Sequence, residues 1–406
     1  MIDEKEKMRQ ILSLGLELAQ VRDVDILLER ILTVARTFVS ADAGSIYIRE
    51  GDTLKFSYTQ NDTFQKQLAP GQKLIYSTFT VPISNASISG YVANTGTMLN
   101  IPDVYELADT VPYAFNRGYD ELTRYRTKSV LTFPLKNNRG DVIGVLQLIN
   151  ACDPAGGIVP FAPEDEPFIM HFAGNAAIAI ERAMMTRAMI LRMISMAELR
   201  DPKETGAHVN RVAAYSIEIY EQWARTHGVA ESEIMLNRDV LRMAAMLHDV
   251  GKVAIADAIL KKPGRLDDTE YAVMKNHTWM GARLFSDTFS DFDQAAAAVA
   301  LNHHERWDGN GYPGDVNPSN GELRTAAGSF RGKKGSEIPL FGRIVSIADV
   351  YDALSSKRAY KESWDEGRVL ETLRQEAGKQ FDPELIEAFF ASFDTIRSIA
   401  DRYPSA

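Results

Sequence analysis

Cysteine is almost absent: Cys152 is the one thiol in 406 residues. A single cysteine excludes an internal disulfide framework and fits a reducing cytosol. Long apolar runs are also missing. No stretch reaches the roughly 18 apolar residues of a membrane-spanning helix, and the charged start Met1-Ile2-Asp3-Glu4-Lys5-Glu6-Lys7 does not read as a secretory signal. A cytoplasmic protein without a membrane partner is the expectation. Positive charge is in deficit: 45 Lys and Arg against 55 Asp and Glu leave a net −10. That balance disfavours a nucleic-acid polymer as partner. A small anionic ligand stays open, because local cations and metals overrule the global sign. Histidine is scarce as well, with 7 in the chain.

The length exceeds one ordinary core and points to two or three domains. Composition is that of a globular protein, 45% apolar and 25% charged. Residues 3–39 read as helical, with Leu12, Leu16 and Ala19, then Ile26, Leu27, Ile31, Val34 and Phe38, at helical spacing. After Ser40-Ala41-Asp42 the period changes. Gly44–Ile48, Thr53–Tyr58, Met98–Ile101, Ser129–Leu135 and Val142–Asn150 read as short strands, and Asn137-Asn138-Arg139-Gly140-Asp141 as a hairpin turn. Helices around an antiparallel sheet predict an α/β sensor fold.

This region resembles a GAF domain, on Leu27–Tyr47, on Ile88–Gly96 with Ile101-Pro102-Asp103-Val104, and on Ser129–Asn150. The resemblance implies a small ligand of unknown identity. Cyclic-nucleotide-binding GAF domains carry a dispersed Asn-Lys…Phe…Asp-Glu signature. Asn150, Phe161, Asp165 and Glu166 fit it, but Ala151 stands where lysine would be. Nucleotide binding and a purely structural role for these four residues are both open. Cys152 and His171 read as a small residue after a strand and a surface or cap residue.

Pro163-Glu164-Asp165-Glu166 opens a helix that runs to Arg200, where Asp201-Pro202 ends or kinks it. Ile169, Ala176, Ala183, Ile190 and Ala197 are seven apart, with Phe172, Ala179, Thr186 and Met193 between them. This heptad spacing predicts a parallel coiled coil joining two protomers. The alternative is a single helix packed on its own domain.

From about 203 to 396 the pattern is almost entirely helical. Here stands the stretch His303-His304-Glu305-Arg306-Trp307-Asp308-Gly309-Asn310-Gly311-Tyr312-Pro313-Gly314. Adjacent histidines on a helix end point about 100° apart, so both can face a metal cluster without serving one ion alike. His248-Asp249 closes the apolar Leu241–Leu247, where a buried His and Asp need partners. Lys252, four after His248, is expected on the same face. Glu204 and His208 are four apart, one turn of a helix. His277 opens His277-Thr278-Trp279-Met280-Gly281, and Asp349 lies in the helical Arg343–Leu354, with Asp352 three further on as a capping or pairing acid. Five of the seven histidines fall in these motifs. An imidazole–carboxylate donor set without thiolate suits a multinuclear Fe or Mn site, with Zn, Ni or Co open, and argues against a structural zinc finger.

Residues about 195–395 resemble the HD-GYP family of the HD phosphohydrolase superfamily. The resemblance rests on Arg200–His208, His248-Asp249-Val250-Gly251-Lys252, Ile259–Leu266, His277–Gly281, His303–Gly314 with Gly311-Tyr312-Pro313, Ala348–Leu354 and Arg358-Ala359-Tyr360-Lys361. It implies metal-dependent hydrolysis of cyclic di-GMP to pGpG or GMP. It also implies metal ligands at His208, His248, Asp249, His277, His303, His304 and Asp349, with Glu204 at the position that goes with a third ion in some members. Two or three divalent ions are expected. Asp249 and Asp349 would bridge them, and Asp249 and Lys252 are the catalytic candidates. Lys252, Asp308, Tyr312, Arg358 and Lys361 are the substrate-binding candidates. The chemistry agrees: a phosphodiester is anionic, and two metals cancel its charge and lower the pKa of water from about 15.7 toward neutrality.

The expected organisation is multidomain: an α/β GAF-like sensory domain at 1–165, a coiled-coil linker helix at 166–200 and an all-α HD-GYP phosphodiesterase domain at 201–406, as a homodimer. Ala359 departs from the usual proline. The polar segment Asp315–Lys334, with Arg324, Arg331, Lys333 and Lys334, is longer than the family's, and reads either as a surface insertion or as a cationic lid. Hydrolysis of 3′,3′-cyclic GMP–AMP and a non-catalytic receptor for cyclic di-GMP are the competing functions.

Overall fold

The computed structural model describes residues 18, 21–68, 79–198, 206–287, 290–323, 331–356 and 364–403. The chain divides into two compact units, 1–187 and 188–406.

In the first unit, helix α1 (Val24–Phe38) starts on Asp23, whose carboxylate accepts the N–H groups of Asp25 and Ile26. That satisfies two of the donors a helix start leaves open. The expected helical pattern before Val24 lies largely outside the described residues. Seven strands follow: β1 (Ala41–Glu50), β2 (Thr53–Asn61), β3 (Thr80–Pro82), β4 (Leu99–Ile101), β5 (Val130–Lys136), β6 (Val142–Cys152) and β7 (Ile158–Val159). They pair antiparallel in the order β3-β2-β1-β6-β5-β4, with β7 added on β6. The five predicted strands are all present. β3 and β7, three and two residues long, are too short for alternation to announce them. The β5–β6 connection is the predicted hairpin, closed by Asn137 N donating to Asp141 O at 3.0 Å. Helix α2 (Ile88–Thr95) begins on Ser87 and ends at Gly96 in the left-handed region.

Helix α3 (Glu166–Glu198) is continuous through the division between the units. Ile169, Phe172, Ala176, Ala179 and Ala183 are buried with Leu27, Ile31, Phe133 and Leu146 in the core of the first unit. Ile190 belongs to the core of the second. The first part of the heptad thus packs on the helix's own domain, whereas Met193 is 46% accessible; a buried stripe on a globular fold and a coiled-coil seam share nearly the same period. A different face is apolar and exposed: Ile178, Met185 and Met189 are 44%, 57% and 53% accessible. The end of this helix pattern at Asp201-Pro202 lies outside the described residues.

Among the described residues the second unit has no strand, only isolated bridges. Its helices are α4 (Gly206–Thr226), α5 (Glu231–Met246), α6 (Asp268–Lys275), α7 (His277–Arg283), α8 (Asp291–Asn302), α9 (Leu340–Ser355), α10 (Glu366–Gln375), α11 (Pro383–Ala391) and α12 (Phe393–Arg402), with a short one at Asp257–Leu260. Tyr215, Leu241, Ala244, Ile344, Ile347 and Phe389 centre its core. Alanine-rich faces on α5 and α8 let these helices approach closely, which brings their C-terminal ends, with His248 and His303, beside Asp349 in the middle of α9.

Candidate metal centre

Each candidate side chain stands at or near a helix end, or on a face turned to those ends. α5 stops at Met246, Leu247 caps it, and His248-Asp249 lead into a 3₁₀ turn at Val250–Ala254. This turn alters the expected geometry of Lys252. Its Nζ lies 2.7 Å from Oδ2 of Asp249, three residues back, rather than following the face of His248 through an α-helix. Gly251 is needed here. A Cβ on it would lie 1.9 Å from the carbonyl oxygen of His277, so only glycine lets the turn meet the start of α7. α8 delivers His303 as its C-cap, α7 begins at His277, α4 carries His208 and α9 carries Asp349.

Two groups of donors form. Asp249, His277, His303 and His304 offer ligand atoms within 4.8 Å of one another, and His208, His248 and Asp349 do the same. The two are adjoining: His248 Nε2 lies 3.2 Å from Asp249 Oδ2 and 4.0 Å from Asp349 Oδ1. His208 Nε2 lies 3.6 Å from Asp349 Oδ1. Seven of the eight expected metal ligands thus meet, although they come from widely separated stretches of chain. Glu204, the eighth, lies outside the described residues, as do Arg358 and Lys361. Asp249 faces both groups and is placed to bridge. Asp349, also expected to bridge, has its Oδ1 in one group only.

The imidazole tautomers follow from their partners. The Nδ1 of His248 meets Ala245 O at 2.8 Å, that of His277 meets Met274 O at 2.8 Å, and that of His303 meets Val299 O and Ala300 O, both at 3.1 Å. A carbonyl only accepts, so each Nδ1 carries a proton, and in the neutral form of each ring it is the Nε2 lone pair that faces inward. His208 does the same through Asp352, whose Oδ2 is 2.8 Å from its Nδ1. Asp352 is held in turn by Arg211, at 2.6 and 2.9 Å. Burial alone would raise the Asp352 carboxyl, but Arg211 and His208 outweigh it and hold it down at about 2. The spacing signal for this support is in the sequence: Arg211 stands three after His208, and Asp352 three after Asp349, so each pair shares a helix face.

These tautomers test the fit of a metal. Asp249 Oδ1 is buried and accepts no well-aligned hydrogen bond, yet His277 Nε2 and His303 Nε2 lie 3.1 and 3.5 Å from it. His277 Nε2 and His303 Nε2 are 3.5 Å apart. Lone pairs of two imidazoles and a carboxylate facing one another repel unless a cation lies among them. A divalent ion supplies it, and the all-N/O donor set suits Fe, Mn or Zn. Electrostatics point the same way. Burial favours the neutral Asp249 carboxyl, but the Lys252 ammonium, 2.7 Å from its Oδ2, opposes that, and the carboxyl is held well below the usual range. Burial, with neighbouring imidazoles, holds His304 well below the ordinary histidine value, ready as a neutral ligand.

The rim beyond the donors is formed by the glycine-rich loop. Tyr312 lies 4.9 Å from the His304 ring at a 31° tilt. Glu305, buried beside the histidines, accepts from Gly314 N at 2.6 Å and Lys333 N at 3.0 Å. It ties the loop's end to the chain returning from the insertion. Asp308, a substrate-binding candidate, is held by Arg306 and by the N–H of Asn310. A carboxylate just before a glycine-rich turn shapes that turn first. Arg331 is exposed and paired with Glu337, and Lys333 Nζ donates to Asn302 Oδ1 at 2.7 Å. Two of the four cations of the lid reading, Arg331 and Lys333, are thus engaged within the fold, while Arg324 lies outside the described residues.

The first unit holds a separate cavity of about 450 Å³, lined among others by Tyr47, Phe56, Thr59, Phe79, Tyr125 and Gln147. None of Asn150, Phe161, Asp165 and Glu166 lines it. Asn150, at φ 58, accepts from Lys128 N and donates to Tyr125 and Arg126 O. Phe161 is core, and Glu166 accepts from Asn100. These three residues have structural work within the fold.

Residues 23–180 match the family model of the GAF domain, residues 205–354 that of the HD domain, and residues 324–385 a second HD-domain model. The chain thus carries a GAF-domain region followed by an HD-domain region. Among curated proteins it is 36% identical over 230 residues to the 3′3′-cGAMP-specific phosphodiesterase 2 of Vibrio cholerae, covering 57% of this chain and 39% of that one. It is 34% identical over 233 residues to a cyclic di-GMP phosphodiesterase response regulator of Xanthomonas campestris, covering 56% and 57%. It is 40% identical over 200 residues to a cyclic di-GMP phosphodiesterase of Thermotoga maritima, covering 49% and 47%. The match thus spans about half the length of these relatives. No helix among the described residues is long and apolar enough to cross a membrane.

Proposed function

We propose that this protein is a metal-dependent phosphodiesterase that hydrolyses cyclic di-GMP to pGpG or GMP under the control of its GAF domain. The observation that carries the reading is the convergence of His277 Nε2 and His303 Nε2 on the buried Asp249 Oδ1, 3.1 and 3.5 Å away. In this reading His277, His303, His304 and Asp249 hold one ion, His208, His248 and Asp349 a second, and Glu204 takes part in a third. Iron or manganese is the expected metal. Bound ions supply Lewis acidity toward the phosphodiester and the activation of a water. The chain's own groups do the rest. Asp249 fixes the spacing of the two groups, and Asp352 and the backbone carbonyls hold the imidazole orientations. Lys252 places a positive charge beside Asp249, where it stabilises developing negative charge or protonates the leaving 3′ oxygen. Tyr312 offers a ring to a base, and Arg358 and Lys361 are the proposed phosphate contacts.

The test is turnover by the full chain with Mn(II), or with Fe(II) under anaerobic conditions, of cyclic di-GMP against 3′,3′-cyclic GMP–AMP, with products separated by chromatography. Faster hydrolysis of cyclic di-GMP is expected. The similarity to a cGAMP-specific relative favours the mixed dinucleotide as second reading, and preferential hydrolysis of it would establish that. Tight binding of cyclic di-GMP without hydrolysis would instead make the protein a receptor.

We further infer that the cavity of the GAF domain takes a small ligand held mainly by aromatic and uncharged polar groups. No Lys or Arg lines it among the described residues. The three-part division at 165 and 200 and the homodimer also remain part of this proposal, with the second copy met by the exposed face of α3 rather than the buried stripe. Met185→Glu with Met189→Glu is expected to shift the protein from dimer to monomer in sedimentation velocity. An unchanged sedimentation coefficient would remove this face from the interface.

A further inference from the structure

Helix α6 ends beside the candidate metal centre, and the end carries a cation with unusual surroundings. Lys275 Nζ stands 4.6 Å from the centre of the Tyr271 ring and 5.3 Å from that of Tyr312. The two rings meet edge to face at 6.3 Å, and Tyr312 lies against His304. Lys275 is half-buried, and among the described residues no carboxylate pairs with it. Each of the nearby lysines does have such a partner: Lys252 has Asp249, and Lys262 has Glu270. Tyr271 is 45% exposed, so the group opens to solvent on its outer side. In an acidic chain, a lysine held over two aromatic faces beside the candidate metal centre, and without an anionic partner among the described residues, is placed to receive an anion from outside.

The reaction proposed above leaves such an anion to be held. A cyclic dinucleotide carries two phosphodiesters. The ions neutralise the one that is cleaved, and the other keeps its charge. We propose that Lys275, braced by Tyr271 and Tyr312, binds the phosphate that is not cleaved, and so selects a substrate with two phosphodiesters over one with a single diester. The aromatic faces fix the ammonium without neutralising it. The inference rests on the phosphodiesterase reading of this site. Lys275 is a specificity-determining residue, away from the reacting atoms.

The experiment compares cyclic di-GMP with bis(p-nitrophenyl) phosphate, which has one diester, on the metal-loaded full chain. Replacing the ammonium by a neutral side chain removes a charge-assisted hydrogen bond, which corresponds to roughly a tenfold rise in KM for cyclic di-GMP. Lys275→Ala and Lys275→Gln should both show it. The rise should exceed that for bis(p-nitrophenyl) phosphate by about fivefold or more. Lys275→Arg should keep most of the affinity. Lys275→Gln retains much of the stem over the rings, so it separates loss of charge from loss of packing. If the wild type turns over cyclic di-GMP and both neutral variants keep its KM, or raise the KM of both substrates alike, this inference falls and the phosphodiesterase reading stands. If the wild type turns over neither substrate, the underlying reading fails, and this inference with it.

Discussion

Asp249→Ala is expected to lower cyclic di-GMP turnover by about 10³-fold or more, roughly 4 kcal/mol of transition-state stabilisation. The same change should leave the fold in place. Among the described residues Asp249 is the one carboxylate that faces both donor groups, with Oδ1 toward His277 and His303 and Oδ2 toward His248 and Lys252. Its removal takes away the proposed bridging ligand and the anion that holds Lys252. The loss of stability should be small, because the same deletion relieves the crowding of acceptors around a buried carboxylate. Steady-state kinetics with saturating Mn(II), beside a thermal melt of the metal-free protein, check both halves. Turnover within about tenfold of the wild type would remove Asp249 from the mechanism.

Asp352→Ala is expected to act on stability instead. The carboxylate is 1% exposed and holds both Arg211 and His208. Deleting one partner of a buried ion pair leaves the other charge without compensation and costs about 3–5 kcal/mol. For a unit of this size that lowers the melting temperature by on the order of 10 °C. Metal affinity should also fall by about 10–100-fold, since His208 loses the acceptor that orients its ring. The pH dependence has a defined sign. The folded-state carboxyl sits at about 2, below the ordinary value of about 3.9. Its stabilisation is therefore complete above about pH 4 and is lost as pH falls through about 2. The difference in unfolding free energy between wild type and Asp352→Ala should be constant from neutral pH to about 4 and close below that. A difference that persists undiminished at pH 2 would contradict the ion-pair account.

The extent to which the sequence announces this molecule follows from the range of the forces involved. Strands β1, β2, β5 and β6 read clearly because each is a run of seven residues or more rich in β-branched, aliphatic and aromatic side chains. The His-Asp and His-His motifs stand out because a buried acid or imidazole beside an apolar helix is costly without a partner. Other features are less legible. The heptad on α3 reads as a seam for a second chain, although Ile169, Ala176 and Ala183 pack into their own domain; spacing alone cannot name the surface a stripe meets. α-Helical spacing puts Lys252 on the face of His248, while a 3₁₀ turn at Val250–Ala254 turns it onto Asp249. Asp308 reads as a substrate group because it stands in the glycine-rich loop, yet its oxygens are taken by Arg306 and Asn310. Tyr271 and Lys275 are one helical turn apart, which spacing shows, but their meeting with Tyr312 is tertiary and carries no signal in the sequence.

The most direct measurement is the metal content of the purified full chain, loaded with Mn(II) or anaerobically with Fe(II) and freed of unbound ions. The account predicts at least two ions per chain, falling by one or more in His277→Ala and likewise in His208→Ala, since those residues belong to different donor groups. One ion or none in the wild type, or two ions kept by both variants, would contradict a centre built from these two adjoining groups.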